Sequence, residues 1–302
     1  MICTPLAVRK NQQGMTLREI IQLFIPPFYY KLKKRLFPQK ERPHYALPKV
    51  EHANQRMIVI GNGPSLKKTI ELYEQQLHES DCVMVNFSAR TPLYEQIQPS
   101  FYVLTDAYWE QDNENVHACV NAIVTKTVWP MTLVLPSQLR SWWALDEFSK
   151  NKNITILFDG GSWYPLADEQ LFPAFDENRI CPPTYTVLTY CIYMSIYWGY
   201  EETYLVGADT SFIKDMYVGQ KDNVLYTVDT HFYNNADVCS RETEPEFKGV
   251  PFGCTMEEKL YELYMVFHEY NMLNRYALWK GVKVYNASEY SMIDCYERRK
   301  LV

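Results

Sequence analysis

What most constrains this chain is a rhythm. From residue 57 onward, short apolar runs recur at 57–60, 82–86, 101–104, 132–135, 154–158 and 203–206, most of them separated by helix-length polar or mixed stretches. Strands buried on both faces read as continuous apolar runs, and parallel neighbours need a helical crossover between them. The rhythm therefore predicts an α/β fold, a mainly parallel sheet with helices on both faces. Residues 184–198 are apolar nearly all round and predict a buried helix, with Pro182-Pro183 at its start and Gly199 past its end. Residues 255–280 predict a long amphipathic helix leading into one more strand at 282–285. Between Gly207 and Gly253 no periodicity persists, so about 207–254 is expected to be an irregular lid or acceptor loop.

Composition narrows the classes further. With 302 residues and 47% hydrophobic content the chain can bury a large core, and its net charge of -6 opposes a role in coating nucleic acid. Eight cysteines are spread without any C-x-x-C pair, which suits reduced thiols in the cytoplasm rather than a disulfide framework or a zinc site. No run reaches the roughly 18 apolar residues of a spanning helix, and no signal peptide is recognisable at the N-terminus. Residues 1–52 stand apart as an arm and linker ahead of a main domain at 53–302. Within the arm, residues 17–37 join an aliphatic and aromatic stretch, broken by Pro26-Pro27, to the basic cluster Lys31, Lys33, Lys34 and Arg35. That combination suits peripheral contact with an anionic membrane, or else a helical arm packed on the body or on a second copy of the chain.

The chemistry-bearing residues gather at predicted strand ends. The run at 57–60 turns at Gly61-Asn62-Gly63-Pro64-Ser65 into a helix. Two glycines allow close backbone approach to a ligand, and Ser65 can cap a helix whose free N–H groups favour an anion. Neither the G-x-G-x-x-G dinucleotide fingerprint nor a Walker loop is present, and an ordinary tight turn remains the plain alternative. The next two runs end in Asn86 and Asp106. Ligands of open α/β sheets bind beyond the carboxyl ends of strands, so Asn62, Asn86 and Asp106 are expected on one crevice, although each alone also suits a cap or turn. Of six histidines, His231 differs by lying in the long loop among aromatics and beside Asp229, where it suits a general base or a packed structural role. No D-x-D motif supports a metal site.

Three segments carry a resemblance. Ile60-Gly-Asn-Gly-Pro-Ser-Leu-Lys67, the stretch from Thr186 to Asp209 ending Leu-Val-Gly-Ala-Asp, and Asp229-Thr-His-Phe-Tyr233 together resemble the bacterial sialyltransferases of glycosyltransferase family 42. They equally resemble the related domain of motility accessory factors and pterin-diphosphokinase-like proteins. The similarity covers roughly residues 56–294. It implies a GT-A-like, Rossmann-like domain, a CMP-activated nonulosonic acid donor, inversion at the anomeric carbon and no metal or other cofactor. It also implies nucleotide contacts from Asn62 and Asn86, beside the Gly61, Gly63 and Ser65 that the turn itself offers for nucleotide binding, with Asp106 near a third asparagine position, Thr186 near the helix-start hydroxyls and His231 as the base. Tyr217 and Tyr226 stand as the nearest candidates for a pair of phosphate-binding tyrosines, since Phe212 falls near the first of them. Asp106 and Val187 depart from the pattern, which points away from sialic acid itself toward a pseudaminic, legionaminic or Kdo-type donor. The implied acceptor is a surface glycan or glycolipid, met at the cytoplasmic face of a bacterial inner membrane. The pterin branch of the same fold offers magnesium-dependent diphosphate transfer using Asp106, Asp209 and Asp229, and a module that has lost catalysis is a third reading.

Overall fold

The computed structural model describes residues 47–301 except 53, 162, 164, 228–249 and 252. The segment 17–37 and His231 lie outside the described residues.

An eight-stranded sheet forms the centre, built from β1 (Arg56–Ile60), β2 (Asp81–Val85), β3 (Phe101–Val103), β4 (Met131–Pro136), β5 (Ile154–Asp159), β6 (Glu202–Val206), β10 (Lys283–Asn286) and β11 (Glu297–Arg298). Its order is β11-β10-β6-β1-β2-β3-β4-β5, with every neighbouring pair parallel. The fold is thus α/β and Rossmann-like. Strand by strand, the apolar runs build both faces at once. Met57 and Val59 join one core with Val83, Val85 and Val103, whereas Ile58 and Ile60 join the other with Met84, Tyr102 and Leu104.

The helices divide accordingly. The first core is covered by α5 (Asp168–Asp176), α6 (Val187–Trp198) and α7 (Met256–Lys280). The second is covered by α1 (Leu66–His78), α2 (Pro92–Ile97), α3 (Glu114–Lys126) and α4 (Ala144–Ser149). All twelve residues of α6 are buried, as its unbroken apolar sequence requires. Full burial of each large apolar side chain contributes about 1.5–3 kcal/mol, so this helix anchors its layer. Punctuation is local. Gly199 and Gly281 end α6 and α7 in the left-handed conformation, and Thr255 with Glu258 forms a capping box at the start of α7.

Two features depart from expectation. The stretch 207–254 is not wholly irregular, because β7 (Met216–Val218), β8 (Leu225–Thr227) and β9 (Val250–Pro251) form a small antiparallel sheet within it. Strands of two or three residues are too short to show a period of two in sequence. Helix α6 begins at Val187, three residues later than 184, because Thr184 adopts a positive φ of 59°. Among the described residues, no helix is long and apolar enough to cross a membrane.

Topology locates the site. From β1 the chain progresses outward to β5, then returns to place β6 on the other side of β1. The connections diverge between β1 and β6, and ligands of open α/β sheets bind outside the carboxyl ends of the strands at such a switch point.

Candidate functional site at the carboxyl edge of the sheet

At the switch point two turns close on each other. Gly61 donates its N–H to Val206 O and Gly63 donates to Gly207 O, both at 2.8 Å. A Cβ on Gly61 would sit 2.5 Å from Gly207 O, and one on Gly63 would sit 2.4 Å from Asp209 Oδ1. Glycine is therefore demanded at both positions by the neighbouring turn after β6. Gly207 itself has a φ of +59°. Asp209, buried beneath the turn, accepts Ser65 N–H at 3.0 Å and Ser65 Oγ–H at 2.5 Å. Ser65 does not cap α1 with its own side chain, and the carboxylate from the far turn meets the positive end of that helix instead. Burial raises the pKa of Asp209, while the two Ser65 hydrogen bonds pull it back.

One strand further, the side chain of Asn62 reaches across the sheet edge. Its Nδ2 donates to Val85 O at 3.3 Å and its Oδ1 accepts Ser88 Oγ–H at 2.7 Å. These contacts flank Asn86 on both sides in sequence, so the structure brings Asn62 and the Asn86 turn together. Asn86 opens a 3-10 turn, Asn86–Arg90, with a φ of +53°. Its backbone carbonyl accepts Tyr102 Oη–H at 2.5 Å, whereas its side-chain Oδ1 is buried without a partner. Asparagine tolerates this left-handed geometry, so the feature that sets Asn86 apart is its buried acceptor. Asp106 lies on the next strand end, half-buried before the 3-10 turn Ala107–Glu110, and its side chain does not cap that turn. Thr105, just before it, carries a second unpartnered oxygen, Oγ1.

Thr186 stands at the start of α6, again without a side-chain cap, leaving its hydroxyl uncommitted to the helix. The two preceding amides are taken. Thr184 N–H and Tyr185 N–H donate to Glu269 Oε1 and Oε2, each at 2.8 Å. Glu269 is 1% exposed on α7, and burial pushes its pKa up to about 7 against the opposing pull of hydrogen bonds from Thr189, Tyr185 and Thr184. Sequence reading missed this residue, although the signal was available: a carboxylate three residues after Val266 and four before Leu273 interrupts the apolar stripe of α7. Asp209, the other buried carboxylate beside a helix start, stands in the sequence as the end of the resembling stretch and as a metal-ligand alternative, with no sign of its contact with Ser65.

Tyr217 and Tyr226 face each other across β7 and β8 and stack with centroids 5.3 Å apart. The Tyr226 hydroxyl donates to Asp222 Oδ2 at 2.5 Å. Among the described residues no group of three or more His, Cys, Asp or Glu side chains is arranged to hold a metal ion, and Asp229 lies outside them. All six cysteines among the described residues are free thiols.

No protein-family model matches this chain, and no curated protein does. Among solved structures, the chain is similar to the MAf glycosyltransferase from Magnetospirillum magneticum AMB-1, with 14% sequence identity and a TM-score of 0.47 over 85% of this chain. The chain spans 36% of the length of that protein.

Proposed function

We propose that this chain is an inverting glycosyltransferase that moves a sialic-acid-like sugar, nonulosonic or Kdo-type, from a CMP donor to a surface-glycan or glycolipid acceptor. The observation that carries the reading is Asn86. Its buried amide oxygen lacks a donor, its backbone is held left-handed, and Asn62 is bonded to the residues on either side of it, all at the carboxyl edge beside the switch point. An amide oxygen without a donor matches the exocyclic amine of cytosine, which donates. The resemblance described above supports the same two asparagines as nucleotide contacts.

In the proposed reaction His231 takes the proton of the acceptor hydroxyl as its oxygen bonds to the anomeric carbon. The bond from that carbon to the CMP phosphate oxygen breaks, and the electron pair leaves with CMP. The phosphate is assigned to the Thr186 hydroxyl, which makes no side-chain cap at the start of α6. Tyr217 and Tyr226, stacked on each other across β7 and β8, are the candidate tyrosines for that phosphate. The arm at 17–37 would hold the enzyme against the cytoplasmic face of the membrane where a glycolipid acceptor is presented. Positioning and charge stabilisation supply most of the acceleration, and no metal is required.

Thermal-shift measurements with CMP, CDP, UDP, GDP and ATP, with and without magnesium, test the donor class. Stabilisation by CMP without metal supports the proposal, and a preference for UDP, GDP or ATP discards it. His231→Ala should abolish turnover while leaving CMP binding intact; unchanged turnover sinks the base assignment. Activity that vanishes with EDTA would favour diphosphate transfer instead.

A further inference from the structure

Buried polar side chains nearly always find partners, so a cluster that does not needs a physical cause. Apart from two tyrosine hydroxyls on α7, every buried unpartnered side-chain atom among the described residues lies in the segments that follow three adjoining strands. They are Asn86 Oδ1 after β2, Thr105 Oγ1 and Trp109 Nε1 after β3, and Trp142 Nε1 and Trp143 Nε1 after β4. Elsewhere the fold does satisfy indoles: Trp129 Nε1 donates to Pro99 O at 2.9 Å and Trp198 Nε1 donates to Pro48 O at 3.0 Å.

The unpartnered groups are set among aromatic rings. Phe87 packs on Trp109 at 4.9 Å and on Tyr108 at 5.6 Å. Trp142 and Trp143 meet at 5.9 Å, and Trp143 stacks on His117 at 4.1 Å. Helix α3 joins the two groups, since it carries His117 and also Cys119, whose thiol donates to Asn86 O. Trp109 and Trp142 are 1% and 8% exposed, while Phe87, Tyr108 and Trp143 are half-buried and form the outer wall.

The donor set selects the ligand. With Asn86 Oδ1 assigned to the nucleotide, three indole N–H groups and the Thr105 hydroxyl are left. Indole N–H groups only donate, and the threonine hydroxyl does either. Hydroxyl groups, which donate and accept, satisfy both kinds, and aromatic faces suit the apolar face of a sugar ring. None of these four groups is charged, which argues for a neutral ligand and against a phosphate.

We propose that the aromatic shelf formed by Trp109, Trp142 and Trp143 at the ends of β3 and β4 binds a neutral pyranose, the acceptor sugar, beside the nucleotide at the ends of β1 and β2. Its role as an acceptor site rests on the glycosyltransferase reading; its capacity to bind a sugar does not.

The seven tryptophan indole N–H resonances of the ¹⁵N-labelled full chain give a direct readout. They are assigned with single Trp→Phe variants and followed during titration with galactose, N-acetylglucosamine and lactose, with and without CMP. The expected result is a saturable shift of at least two of the Trp109, Trp142 and Trp143 signals with at least one sugar. Trp143→Phe, at the half-buried position, should weaken that sugar at least tenfold without changing CMP binding. Buried water alone at these atoms predicts no shift with any of the three sugars, and that result overturns the proposal, as do shifts confined to other tryptophans. Sugar shifts without any CMP binding would leave the shelf standing and remove the donor assignment.

Discussion

Asp209 accepts both the amide and the hydroxyl hydrogen of Ser65, at 3.0 and 2.5 Å, across a separation of 144 residues. The turn that in isolation offers an anion site is thereby supplied with an internal anion. Asp209→Asn keeps the shape but presents one amide nitrogen where a donor already points. With its nitrogen on Ser65 Oγ, which turns to accept, and its oxygen on the Ser65 N–H, the amide keeps both contacts as neutral bonds. The variant should lose about 0.5–1.5 kcal/mol in urea unfolding. Unchanged stability would show that this carboxylate does not hold the turn.

Gly63→Ala introduces a Cβ 2.4 Å from Asp209 Oδ1 and 2.6 Å from Gly207 O. Overpacking of this kind costs about 1–3 kcal/mol. Combining it with Asp209→Ala removes one of the two clashes, so the double variant should be more stable than the sum of the singles by a measurable coupling energy. Additive losses would mean that the two residues do not touch.

Glu269 gives a pH signature with a definite sign. Its folded pKa of about 7 stands above the usual 4.5, so the folded state holds an extra proton between those values. Its contribution to stability is fully present below pH 4.5, declines as pH rises, and is gone above about 7. The difference in unfolding free energy between the wild type and Glu269→Gln should therefore fall by about 3 kcal/mol from pH 4 to pH 8. A difference that is flat or rises with pH rejects the raised pKa.

Asn86→Gly retains the positive φ and removes the unpartnered amide. Folding stability should stay within about 1 kcal/mol of wild type, while CMP affinity in calorimetric titration falls at least about tenfold. Equal affinity would remove Asn86 from the nucleotide site.

Thr186→Ala should behave similarly for a different reason. An N-cap hydroxyl that serves its helix is worth about 1 kcal/mol, but Thr186 makes no such bond. A stability change below about 0.5 kcal/mol together with weaker CMP binding is expected. A loss of the full capping energy would assign the hydroxyl to the helix.

Much of the sheet was legible because strands buried on both faces leave unbroken apolar runs, as Met57 to Ile60 do. The strand-end rule also puts Asn62 and Asn86 at one sheet edge, where Asn62 contacts Val85 and Ser88. What escaped depends on distant partners. Glu269 sets the start of α6 from 84 or more residues away, and the role of Asp209 appears only when the turns after β1 and β6 meet. Exposed two-residue β11 and the three-residue strands β7 and β8 carry no readable period. The missing partners of Trp109, Trp142 and Trp143 are a property of three strand ends lying side by side, which no linear motif expresses.

The pairing of Arg56 with Glu202, and of each following residue of β1 with β6, has a consequence for synthesis. As the chain leaves the ribosome, β1 to β5 can associate first, and β1 then presents a bare edge that is apolar on both faces. Only after residue 209 has emerged can the carboxylate reach Ser65. A chain interrupted before that point would hold most of its sheet and all of its first glycine turn, yet that turn would lack its clasp. Closure of the first glycine turn thus waits on the second half of the chain.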